Sequence, residues 1–206
     1  MNETVTVLLK CGNLVEALIR TLESIFSQIT TYSYKIIVYS NSYDKEMTNV
    51  LCHFCTIHPE QHVVFSPSDV VLSNDPEFPD EIITGRYIAE LSAGDVWLDK
   101  EKLQKQVSYL EGHPKCSFVF SNSYDTDMDG HIIRSRQPVD NSRIFNAHKL
   151  MYADKDYYAA ASVLYRNVFM TWYMIHLVRA EAISLMHHLG HTWRAVRKYM
   201  DFLILW

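Results

Sequence analysis

The chain has 206 residues, 48% of them hydrophobic and 21% charged, with a net charge of −5 from 24 acidic and 19 basic side chains. That balance suits one sizeable globular core and excludes a disordered chain. The acidic excess argues against a nucleic-acid binder, which would carry a basic stripe.

Met1 leads through polar residues into a strand, so no signal peptide is expected. The longest apolar region, Val163 to Met186, is interrupted by Arg166, Asn167, Arg179 and Glu181, which argues against a membrane span. Trp172 and Tyr173 lie among apolar neighbours there and suit peripheral association with a membrane surface. Cys11, Cys52, Cys55 and Cys116 are scattered, as in a protein of the reducing cytoplasm.

In chain order, Thr4–Leu9 is a β-branched run and predicts a first strand, broken by Lys10-Cys11-Gly12-Asn13. Val15, Leu18, Ile19, Leu22, Ile25 and Phe26 then share one helical face. Lys35–Tyr39 predicts a second strand, Glu46–Phe54 a second helix and His62–Phe65 a third strand. This alternation implies parallel strands with right-handed crossovers. Ser66–Asp80, rich in Ser, Pro, Asp and Asn, predicts a long loop of the kind used as a lid or binding loop.

Tyr87–Leu91 predicts a fourth strand, followed by the small-residue turn Ser92-Ala93-Gly94-Asp95. Asp99 predicts an N-cap for a helix whose buried stripe is Leu103, Val107 and Leu110. Cys116–Phe120 predicts a fifth strand, and Asp129-Gly130 a hairpin turn before His131-Ile132-Ile133. Ala159–Tyr165 is small and apolar, either a strand or a close-packed segment. Ile175, Val178, Ala182, Leu185 and Leu189 mark a long amphipathic helix closed by Gly190. The apolar stretch Met200–Trp206 follows.

Asp95 falls just past the C-terminal end of a predicted strand, where open α/β sheets keep their chemistry. The plain alternative is a carboxylate that caps its own turn. Other clusters carry less. Cys52-x-x-Cys55 lacks the second pair of a zinc site and lies on a predicted helix, so its cysteines are expected to pack. His187 and His191 sit one helical turn apart beside His188, with no matched carboxylate. Asp125, Asp127 and Asp129 alternate like a calcium loop but lack the distal Glu, which favours a hairpin. Trp97 and Tyr109 are expected in the core.

Several stretches together resemble the family-2 glycosyltransferases of the GT-A fold. V-T-V-L-L-K-C-G-N-L-V-E-A-L-I-R-T-L-E-S-I-F-S-Q is similar to the family's opening strand and helix, which ends in Ser-x-x-x-Gln. K-I-I-V-Y-S-N-S resembles its second strand. R-Y-I-A-E-L-S-A-G-D-V-W-L-D-K-E-K-L-Q-K-Q-V-S-Y-L-E-G-H-P is similar to the segment carrying its acidic motif. A-S-V-L-Y-R-N-V-F resembles a segment on the acceptor side, and M-D-F-L-I-L-W the start of the helix that bears the catalytic base. Ser92 and Gly94 stand where the family has acidic residues, and Ser40-Asn41 where it has an Asp pair.

The resemblance implies an α/β fold, a mainly parallel Rossmann-like mixed sheet flanked by helices. It implies one GT-A domain over 1–206, with a nucleotide-binding half (1–95), an acceptor-side half (96–206) and a C-terminus shorter than the family's. The implied reaction moves a sugar from a nucleotide-diphosphate donor to an acceptor hydroxyl with inversion, in surface polysaccharide or glycoconjugate synthesis. By match to the motifs, Asp201 is the catalytic base and Asp95 the ligand of a divalent metal, Mn2+ or Mg2+. Cys11, Gly12, Asn13, Asn41 and Gly94 fall at the nucleotide. The implied partners are the donor and a glycan, lipid-linked or protein acceptor, with a cytoplasmic location at the inner face of the membrane. The thinned acidic motif leaves a second reading, a GT-A domain that has lost catalysis and acts by binding or scaffolding. A nucleotidyltransferase would need a Gly-rich phosphate loop after the first strand, which the sequence lacks.

Overall fold

The computed structural model describes residues 3–12, 14–40, 44–67, 83–127, 130–136 and 158–167. Strands β1 (Val5–Lys10), β2 (Tyr34–Ser40), β3 (His62–Pro67) and β4 (Tyr87–Ser92) alternate at first with helices α1 (Val15–Phe26) and α2 (Lys45–Ile57). After β4 come α3 (Lys102–Gly112), β5 (Phe118–Phe120), the hairpin β6 (Ser123–Thr126) and β7 (Ile132–Arg136), a 3-10 turn (Ala160–Ser162) and β8 (Val163–Arg166).

The main sheet runs β3-β2-β1-β4-β8-β5. β1 pairs in parallel with β2 and β4, and β2 with β3. β8 lies antiparallel to both β4 and β5. The result is the mixed, mainly parallel sheet expected. β1 is central, which explains why V-T-V-L-L is continuous rather than alternating: a strand covered on both faces needs apolar residues on both.

One face of the sheet carries Val7, Leu9, Ile36, Val38, Ala89 and Leu91. Against it pack Leu18, Leu22 and Ile25 of α1, Leu51 of α2, and Leu103, Val107 and Leu110 of α3. The period of 3–4 residues in each set puts these side chains on one stripe, and burying that stripe holds each helix down. The other face carries Leu8, Ile37, Tyr39, Ile88, Val163 and Tyr165.

The expected strands, first two helices and helix stripe at 103–110 are all present. Several boundaries differ. Ser66 and Pro67 belong to β3, and the remainder of the predicted loop lies outside the described residues. Cys116 and Ser117 precede β5. Ala159–Tyr165 combines both readings, a 3-10 turn followed by a strand. Gly130 has a φ of +86° and turns the chain between β6 and β7, as expected of an Asp-Gly hairpin. Asp125 there is held by Arg136. Cys52 is exposed and Cys55 half-buried, so Cys52 is no packing residue. It faces solvent because the buried stripe of α2 is Met47, Leu51 and Phe54. The predicted helix 175–189, the 200–206 segment and His187, His188 and His191 lie outside the described residues.

Gly85 sets the entry to β4. A Cβ there would meet the Thr6 backbone nitrogen at 2.4 Å, and the Gly85 N–H donates to Thr6 Oγ1 at 2.9 Å. Asn167 clamps the same point, its amide donating to the Ile83 and Gly85 carbonyls at 2.9 and 2.8 Å. Gly85→Ala should therefore destabilise the fold by about 3 kcal/mol, the cost of forcing an atom into a close-packed site. Urea unfolding monitored by circular dichroism checks this.

Candidate functional site

Four parallel strands bring their C-terminal ends to one edge of the sheet. The order β2-β1-β4 makes the space beyond β1 and β4 a switch point, because the chain moves outward from β1 through β2 to β3 and then returns to β1's other side. The ladder continues one residue past β1 and β4. The Cys11 N–H donates to the Tyr39 carbonyl at 2.9 Å, and the Ala93 N–H to the Lys10 carbonyl at 2.8 Å. Cys11-Gly12 and Ser92–Asp95 are thereby set side by side.

The Asp95 turn closes on itself. The Asp95 N–H donates to the Ser92 carbonyl at 2.9 Å, and Asp95 Oδ2 accepts the Ser92 N–H at 2.7 Å. Gly94 occupies the third position with a φ of +109°, a conformation glycine adopts without strain. The carboxylate of Asp95 does cap its turn.

Cys11 is buried, and burial pushes its thiol up to about 11, so it is a neutral thiol at pH 7. Its backbone marks the edge. Gly12 is exposed, with open space where a Cβ would project. α1 begins just beyond, and its N-cap Leu14 provides no side-chain acceptor. Asn13, Asn41 and Asp201 lie outside the described residues.

Sequence reasoning missed what holds the turn. Thr21 and Ser24, on the otherwise apolar face of α1, and Gln28, just past its C-terminal end, form a polar stripe. Thr21 Oγ1 accepts the Gly94 N–H at 2.9 Å, and Ser24 Oγ accepts the Trp97 N–H at 3.2 Å. Gln28 Oε1 accepts the Leu103 N–H at 3.1 Å, while its amide donates to the Asp99 carbonyl at 2.9 Å. Gln28, rather than Asp99, thus supplies the side-chain cap inside α3, which starts at Lys102. Asp99 Oδ1 accepts the Glu101 N–H at 2.9 Å, one step before the helix. The signal was present as Ser-x-x-x-Gln with Thr21 three residues earlier. Trp97 is buried as expected, whereas Tyr109 is half-buried and stacks on His113 at 4.1 Å.

Among the described residues, no group of three or more His, Cys, Asp and Glu side chains is arranged to hold a metal. Among the described residues of the Ser92–Asp95 turn, the carboxylate is Asp95, with Ser92 beside it. A hard cation takes six or more oxygen ligands, so this turn fits a metal only as one ligand among many.

No protein-family model matches the chain, and no curated protein matches it. Solved structures do match its fold. The mannosyltransferase PcManGT from Pyrobaculum calidifontis, in complex with GDP-Man and Mn2+, aligns over 84% of this chain and 47% of its own, at 12% identity and a TM-score of 0.54. S. aureus TarS 1-349 in complex with UDP aligns over 84% and 49%, at 10% identity and a TM-score of 0.55. A longer S. aureus TarS aligns over 82% and 29%, at 10% identity and a TM-score of 0.57. The chain thus spans about half the length of the first two. It shares their mixed α/β fold.

Thr21→Val keeps the shape of the side chain and leaves the Gly94 N–H without its acceptor. The expected cost is about 1–3 kcal/mol, the penalty for an orphaned donor. Chemical denaturation of this variant against the wild type measures it.

Proposed function

We propose that this chain is a GT-A glycosyltransferase domain whose first half, residues 1–95, binds a nucleotide-diphosphate sugar and whose second, 96–206, meets the acceptor. The observation that carries the reading is the placement of Gly12 and the Ser92–Asp95 turn, side by side at the C-terminal ends of β1 and β4. Three further observations support it. Gly12 leaves room for a ligand against the backbone. The N-terminus of α1 opens at the same edge, with its positive dipole end available to a diphosphate. The solved complexes that share the fold hold GDP-Man with Mn2+, UDP and UDP-GlcNAc.

The chemistry follows from the leaving group. A nucleoside diphosphate departs with negative charge, and the site must balance that charge. In this reading Asp95 contributes one ligand to Mn2+ or Mg2+, with the diphosphate and water contributing the others; the cation supplies charge neutralisation. Cys11, Gly12, Asn13 and Asn41 line the nucleotide, and Gly94 lies at its ribose. Asp201 removes the proton of the attacking acceptor hydroxyl, which gives a single displacement with inversion. The acceptor is a glycan, lipid-linked or protein hydroxyl in surface polysaccharide or glycoconjugate synthesis, at the cytoplasmic face of a membrane. No helix among the described residues is long and apolar enough to cross one.

One observation favours a second reading. The acid of the turn is engaged with the Ser92 N–H, and Ser92 and Gly94 add no carboxylate. A domain of that kind would bind a nucleotide sugar or a partner without turnover.

A thermal-shift panel of UDP, GDP, CDP, dTDP and their sugars, each with and without Mn2+, tests the proposal. At least one nucleotide should raise the melting temperature by mass action, with part of the shift dependent on Mn2+. Asp95→Asn keeps an oxygen for the Ser92 N–H and should abolish only the Mn2+-dependent part. No shift with any nucleotide overturns donor binding. Binding without transfer or hydrolysis selects the second reading.

A further inference from the structure

α1 and α2 leave a groove between them on the side away from the sheet. It has a volume of about 640 Å³ and is walled by Ile19 and Phe26 of α1 and by Val50, Phe54 and Ile57 of α2. Phe26 stacks on Phe54 at 5.4 Å and on His58 at 4.4 Å, which fixes the floor. Ile19, Phe26 and Val50 are only partly buried against the core beneath them, and Ile57 is 51% exposed. The stripe that holds α2 to the sheet is Met47, Leu51 and Phe54, so Ile57 is not needed to hold the helix down. Apolar groups clustered on one face in this way mark an interaction surface rather than scattered exposure.

The α1 lip of the groove is charged. Glu16, Arg20, Glu23 and Ser27 are all exposed and recur at helical spacing, which puts them on one stripe facing solvent. Glu16 and Arg20 stand one turn apart in the order that suits an ion pair. Yet among the described residues none of Glu16, Arg20 and Glu23 makes a hydrogen bond or an ion pair. The signs along the stripe run minus, plus, minus, and that pattern complements itself. A second copy of α1, laid antiparallel about a two-fold axis at the height between residues 21 and 22, brings Arg20 of each copy opposite Glu23 of the other. The same axis sets Glu16 opposite Ser27, so no like charges face each other along α1. α2 adds Lys45 and Glu46 in its first turn, one of each sign.

We propose that the α1–α2 face is the contact surface for a second copy of this chain, packed groove to groove about a two-fold axis with two Arg20–Glu23 ion pairs at its rim. The apolar walls supply the attraction, because covering them removes non-polar area from water. The ion pairs set register and direction, since exposed pairs add little affinity. Each copy offers two short helices, of 12 and 13 residues, so the dimer is weak, with a dissociation constant of about 100 µM. The inference concerns this face alone and stands without any donor.

Sedimentation velocity of the full chain, over a concentration series that brackets that value, tests it. The weight-average sedimentation coefficient should rise with concentration from that of a monomer toward that of a dimer. Arg20→Glu and Glu23→Arg each place like charges in both rim pairs, and each should weaken the dimer about tenfold. The double variant Arg20→Glu/Glu23→Arg restores opposite charges and should return to within about threefold of the wild type. Ile57→Glu should weaken the dimer at least about tenfold. All three positions are exposed, so circular dichroism should show the wild-type fold in every variant. A monomer at every concentration overturns the proposal and leaves the groove to a different partner. A dimer that none of the variants disturbs lies elsewhere on the surface and overturns it too, as does a double variant no tighter than the single ones.

Discussion

The Gly94 N–H meets Thr21 Oγ1 at 2.9 Å, and most of what is particular to this molecule depends on that contact and its two neighbours along the same polar stripe. An apolar helix face can slide or rotate by small amounts on an apolar sheet, because hydrophobic attraction has no direction. Thr21, Ser24 and Gln28 remove that freedom. Each is aimed at a single backbone N–H, of Gly94, Trp97 and Leu103 respectively. The helix after β1 thereby fixes the turn after β4, the aromatic that follows it and the start of α3. Buried polar groups cost free energy unless paired, so the stripe specifies one arrangement and penalises its alternatives.

The same contacts tie the Ser92–Asp95 turn to the segment before β8. Trp97 is held by its backbone to α1 and by its indole to Ala161. It therefore relays the position of the turn to the segment that leads into β8.

The sheet was legible wherever burial dictated the pattern. β1 and β2 are apolar on both faces because both are interior, and α1 and α3 show the helical stripe because one side of each is covered. What stayed hidden was set by distant partners. The four residues of β8 hold no local sign that they will insert antiparallel beside β4, since that choice is made by Arg166 and Asn167 reaching residues such as Tyr87 and Gly85, about eighty positions earlier in the chain. Asp99 looked like the cap of α3 by local rules, but an acceptor 75 residues away does that work. Thr21, Ser24 and Gln28 were invisible to hydrophobic periodicity, which counts polar positions as solvent face. At the candidate site the sequence located the turn and its acid. Asn13, Asn41 and Asp201 rest on the sequence alone.

The self-closed turn bears on how fold and chemistry relate. A metal site built from several clustered carboxylates carries mutual repulsion until a cation arrives, and its loop geometry depends on that cation. Here Gly94 removes the backbone strain, Ser92 brings no charge, and the one acid satisfies a backbone donor of its own turn. The turn therefore closes through its own hydrogen bonds, with Asp95 as its one acid. Retention of this fold is thus explained by packing and hydrogen bonds, and is no measure of catalysis. In the proposed reading, chemistry at this edge has Asp95 as the one carboxylate that the Ser92–Asp95 turn provides.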